Sequence, residues 1–86
     1  MNEIELKLLI TKNEIKANVV KNAKYLREQL GHSAAGMGNR IGISRQSYEA
    51  IELGKSLSVD NLMNLARLCN IGLENLLLND LSKQGE

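Results

Sequence analysis

Ile41-Gly42-Ile43-Ser44-Arg45-Gln46-Ser47-Tyr48-Glu49-Ala50-Ile51 is the stretch on which the fold turns. Gly42 has no Cβ and tolerates positive φ, so the chain can reverse sharply there. Ile43 is placed to plug the angle between two short helices. Ser44 is placed to cap the second of them, its hydroxyl accepting an otherwise orphaned backbone N–H. Inside that second helix Tyr48 and Ile51 stand three residues apart on one face and form the expected buried pair. Arg45, Gln46, Glu49 and Ala50 fall on the opposite, exposed face.

Upstream of the turn, Ser33 reads as the cap of a short helix in which Met37 and Ile41 face inward four residues apart. Before it, Val19, Ala23, Leu26 and Leu30 follow 4, 3 and 4 spacings, which predicts a helix from about Ala17 to Leu30 that stops at Gly31. Downstream, Gly54 closes the helix that Ser44 opens. Ser58 caps a fourth helix whose stripe is Leu62, Leu65, Ala66 and Cys69, and Asn70 ends it in a left-handed conformation. A fifth helix from about Gly72 to Asn79 carries Leu73, Leu76 and Leu77, and residues 81–86 read as a frayed tail. Residues 1–17 form an amino-terminal arm with two open readings. Ile4, Leu6, Leu8 and Ile10 alternate with Glu3, Glu5 and Lys7 as in a half-buried strand, whereas Ile4, Leu8, Leu9 and Ile15 suit an extra helix.

Composition agrees with an all-α domain of five helices over residues 18–80. The 86 residues contain no Pro, Phe or Trp, two Tyr, and 43% apolar side chains, so the core must be built from aliphatic ridges. Net charge is +1, but it is unevenly placed: residues 18–58 hold six cations against three anions, and residues 59–86 hold two against four. A positive half suits phosphate contact. One Cys and one His argue against a Cys/His metal site, and no apolar run exceeds three residues, so no membrane span is expected and the chain reads as cytoplasmic. No nucleophile–base arrangement and no Gly-rich phosphate loop after a strand are evident, so neither an enzyme nor a cofactor is expected.

With the elements in place, Leu26-Arg27-Glu28, Gly31, Ser33, Ile41-Gly42-Ile43-Ser44-Arg45-Gln46-Ser47, Ile51-Glu52, Gly54-Lys55, Leu65-Ala66-Arg67, Ile71, Leu73-Glu74 and Leu76-Leu77 together resemble the lambda-repressor and Cro-like family of helix-turn-helix regulators. The resemblance spans residues 18–78. It implies that the helix from about Ser44 to Leu53 enters the DNA major groove. Arg45 and Gln46 then lead as base-edge contacts, because Arg can pair twice with guanine and Gln twice with adenine. Glu49, which could accept from cytosine, and Ala50, which could touch a thymine methyl, follow one turn on. Ser44, Ser47, Arg40, Lys55 and Ser56 are the expected phosphate contacts. Arg27 and Glu52 take the places of a structural ion pair between the first and third helices.

The chain departs from the family pattern in its second helix. Ala34 stands where a Gln commonly braces the phosphate. Gly38 fits where a small residue, usually Ala, lets two helices approach, and Gly36 adds a helix cost with no evident gain. His32 takes a normally apolar place, and the loop 54–58 is shorter than usual and lacks its frequent Pro. The resulting expectation is a sequence-specific transcriptional repressor acting as a homodimer on double-stranded DNA, with the arm or the last helix and its Leu76-Leu77-Leu78 cluster, in which Leu78 fits the inward stripe least well, as dimer surface. The alternative is an antitoxin or another protein-interaction module on the same fold, with a protein partner ordering the termini.

Overall fold

No glycine or proline occurs in the first thirty residues, so nothing in the sequence there breaks a helix. In the computed structural model, which describes residues 3–55 and 57–83, α1 runs unbroken over Glu3–Gln29. The strand reading of the arm is therefore overturned, and so is the break at Ala17. Leu, Glu and Lys dominate the arm and are good helix formers, and extending an existing helix costs far less than nucleating one. A strand there would also need a partner strand, and the described residues include none.

Four shorter helices follow: α2 (Ala34–Ile41), α3 (Arg45–Glu52), α4 (Val59–Leu68) and α5 (Leu73–Leu78), with a 3-10 turn at Leu81–Lys83 where a frayed tail was expected. Residues 84–86 of that tail lie outside the described residues. The three predicted serine caps all form: the hydroxyls of Ser33, Ser44 and Ser58 accept the N–H of Gly36, Ser47 and Asn61 at 3.0, 3.1 and 3.2 Å.

The first four helices end by one device. The residue after each reversal donates its N–H five residues back, from His32 to Arg27, Ile43 to Gly38, Lys55 to Ala50 and Ile71 to Ala66. A left-handed residue makes each reversal: Gly31, Gly42, Gly54, and Asn70 at φ 55°. Leu30 falls inside the first of these stops and is 44% exposed, so the buried stripe of α1 ends at Leu26, one position short of expectation. Asn70 is the one of the four with a Cβ to accommodate. Asn70→Gly is expected to raise stability by about 0.5 kcal/mol, read as a higher urea midpoint, because Asn bears a residual left-handed strain that Gly lacks.

The core joins Val19 and Ala23 of α1, Met37 and Ile41 of α2, Tyr48 and Ile51 of α3, Leu62 and Leu65 of α4, and Leu76 of α5. Tyr48, the single buried aromatic residue, donates its hydroxyl to the Ala23 carbonyl at 3.1 Å. Burial, reinforced by the Glu52 carboxylate nearby, pushes that phenol well above its ordinary range, so it stays a donor.

A second polar tie has no counterpart in the sequence reading. Asn22 is fully buried; its amide nitrogen donates to the carbonyls of Leu76 (2.8 Å) and Asn79 (2.7 Å), and its oxygen accepts the N–H of Leu81 (2.9 Å). Asn18 adds a bond to the Leu77 carbonyl at 3.0 Å. A six-residue helix such as α5 leaves most of its carbonyls without partners of its own, and α1 supplies donors to two of them, Leu76 and Leu77, and to Asn79 just beyond.

Candidate nucleic-acid interface

The angle between α2 and α3 is set by backbone contact rather than by side-chain bulk. A Cβ on Gly38 would lie 2.8 Å from the carbonyl oxygen of Ile43 and 2.9 Å from that of Ser44. Bare backbone at Gly38 thus lets the turn close onto α2, and Gly42 at φ 80° turns the chain out of it. Ile43 packs half-buried against the core, as its place in the turn demands. Tyr48 and Ile51 then anchor the inner face of α3, both at 0% exposure.

With that face committed inward, Arg45, Gln46 and Glu49 are exposed, while Ala50 and Ser47 are half-buried. Arg45 is not free: its Nε lies 3.2 Å from Glu49 Oε1, one turn along the helix. At the helix start the Ser44 hydroxyl accepts the Ser47 N–H and gives its own proton to the Ser47 hydroxyl at 3.0 Å. The donor left over is therefore the Ser47 O–H, not that of Ser44. The first-turn N–H groups of α3 open toward the same exposed end, a setting that favours anions.

Among the expected phosphate contacts, Arg40 and Lys55 are exposed, and Ser56 lies outside the described residues. Arg40 sits beside the His32 ring, with Nη1 3.5 Å from Nε2, and shares the rim of an open groove between α2 and α4 with Arg67. The sequence reading passed over Arg67, since nothing in residue spacing places α4 beside α2. His32 is half-buried, with its carbonyl 3.5 Å from Arg27 Nη1.

Behind the exposed face, Arg27 and Glu52 meet as a two-point pair: Nε to Oε2 at 2.7 Å and Nη2 to Oε1 at 3.2 Å. Their side chains are 23% and 17% exposed. The hydrogen bond it donates to Glu52 holds the Arg27 guanidinium above its ordinary value. The planar fork joins the end of α1 to the end of α3, so α3 is tied at its carboxyl end and wedged at its amino end.

A capped helix held at a fixed angle behind a glycine turn, with one face buried and a polar face open, defines a DNA-binding helix-turn-helix module. A family model described as helix-turn-helix matches residues 24–76, and the chain belongs to that lambda-repressor-like family of DNA-binding regulators. No curated protein and no solved structure matched the chain. Among the described residues no helix is long and apolar enough to cross a membrane.

Proposed function

We propose that this protein is a sequence-specific transcriptional repressor that places α3 in the major groove and binds as a homodimer. The observation that carries the reading is the open polar edge of α3, Arg45 and Gln46, on a helix whose opposite face is wholly committed to the core. Arg45 reads guanine through two N–H groups and Gln46 reads adenine through its amide, while Ala50 offers its methyl to thymine. Arg40, Lys55, Ser47 and the first turn of α3 set the register on phosphates, and Ser44 serves as the cap that orders them.

A module this small contributes too little contact for tight specific binding alone, so two copies on a two-fold site with half-sites about 34 Å apart suit its size. Leu78, 58% exposed on α5, supports a partner surface there, and the apolar-rich amino-terminal turns of α1 are a second contributor.

Arg45→Ala and Lys55→Ala separate base reading from phosphate contact. On upstream DNA of the protein's own gene, Arg45→Ala should flatten the preference among sequences, removing about 1–3 kcal/mol of discrimination at one base pair. Lys55→Ala should weaken all duplexes alike and lower the slope of log affinity against log salt by about one. Titrations at several salt concentrations measure both, and equal losses on operator and random DNA for Arg45→Ala would end the base-reading assignment. A clean homodimer that shifts this DNA supports the repressor, whereas co-purification with a neighbour-encoded protein and no DNA shift would favour an antitoxin-like module.

A further inference from the structure

Glu49 presents a puzzle on a helix that reads DNA. A carboxylate on the approaching face repels phosphate, and it is exposed, so the core does not demand it. Its contact with Arg45 adds little to folding, because both side chains are largely in solvent, at 61% and 47% exposure. The order along the helix, arginine before glutamate, is also the weaker arrangement for helix support. What the contact does supply is geometry. The shortest approach of the pair is Glu49 Oε1 to Arg45 Nε at 3.2 Å, an ion-pair distance on the inner side of the guanidinium. Because the guanidinium is planar, a carboxylate on its Nε side limits how the whole group turns. The other carboxylate near α3, Glu52, is taken by Arg27, so it does not compete for Arg45.

We infer that Glu49 is a positioning residue for base recognition: its charge draws Arg45 from the Nε side so that the Nη1–Nη2 edge meets O6 and N7 of a guanine, rather than taking a cytosine amine itself. The inference rests on the reading of α3 as the base-contacting helix. An arginine held this way arrives with less rotational freedom to lose, and the gain falls on the correct base alone. The carboxylate also offsets the arginine charge, which lowers attraction to phosphates of any sequence.

The test uses the full chain with Glu49→Ala, Glu49→Gln, Arg45→Ala and the Arg45→Ala/Glu49→Ala double variant. Each is titrated against a duplex selected from a random pool, against that duplex changed one base pair at a time, and against random DNA. Glu49→Ala is expected to lower guanine preference at the Arg45 position by roughly threefold or more while binding random DNA at least as well as the parent. Glu49→Gln is expected to keep part of the preference, since its amide oxygen offers Nε a neutral acceptor in the same place, and to share the rise on random DNA. In the Arg45→Ala background the Glu49 change should alter no base preference further. Unchanged melting temperatures in both Glu49 variants separate positioning from loss of fold. Full guanine preference in Glu49→Ala, beside its loss in Arg45→Ala, overturns the inference alone. So does relaxation by Glu49→Ala of a base pair that Arg45→Ala leaves intact, because that is direct reading by Glu49. Intact preferences in Arg45→Ala overturn the base-reading helix itself, and the inference with it.

Discussion

Asn22→Leu is expected to destabilise the protein by about 3 kcal/mol, although leucine nearly matches asparagine in size and suits a buried site. The change removes three hydrogen bonds at once and leaves the Leu76 carbonyl, the Asn79 carbonyl and the Leu81 N–H without their partner. Leu76 is fully buried, so water cannot replace the lost donor there. Each stranded buried group costs about 1–3 kcal/mol, against a gain in apolar burial that the tight site cannot fully use. For a domain of this size the loss corresponds to a fall of about 12 °C or more in melting temperature. Asn18→Leu, which breaks one half-buried bond to Leu77, should cost only about 1 kcal/mol. Thermal unfolding followed by circular dichroism reads both, and an Asn22→Leu variant within 1 kcal/mol of the parent would show that α5 does not depend on this clamp.

The second large effect concerns the two glycines of α2, which differ only in surroundings. Glycine in a helix interior costs about 1 kcal/mol relative to alanine, so propensity alone favours both Gly36→Ala and Gly38→Ala. At Gly36 an added Cβ would meet the Ser33 Oγ at 3.4 Å and His32 side-chain atoms at 3.5 Å, ordinary contacts. Gly36→Ala should therefore stabilise by about 0.5–1 kcal/mol. At Gly38 the same atom would strike two backbone carbonyls below 3.0 Å, and backbone in a turn cannot swing aside as a side chain does. Gly38→Ala should then destabilise by about 1–3 kcal/mol net, and α3 should be displaced with the turn that carries it. DNA affinity should fall in Gly38→Ala beyond what the unfolded fraction accounts for and stay unchanged in Gly36→Ala. Urea unfolding and operator titration of the two variants side by side decide it; a Gly38→Ala protein as stable and as tight-binding as the parent would refute a backbone-limited approach of α2 and α3.

That contrast also corrects the sequence reading, in which Gly38 is one of several small residues the crossing could accept. In this chain the crossing is closer than alanine permits. The Arg45–Glu49 contact is the opposite case. Its i, i+4 spacing is legible in the sequence, but both side chains also suit contact with DNA, and spacing does not choose between the two roles.

Amino-acid order alone determined what depends on near neighbours. The serine caps act within three residues, the glycine and asparagine stops within five, and the pairs Met37/Ile41 and Tyr48/Ile51 follow from helical spacing. The Arg27–Glu52 tie, 25 residues apart, came from family resemblance and not from spacing. Tertiary packing decided the rest. Alternating Leu, Glu and Lys in the arm satisfy strand and helix patterns alike, and continuity with a docked α1 selects the helix. Asn22 looks like any surface amide, because its partners are main-chain groups 54–59 residues away and every residue carries those. A side chain's identity is written in the sequence, but the backbone group that answers it is chosen only when the helices pack.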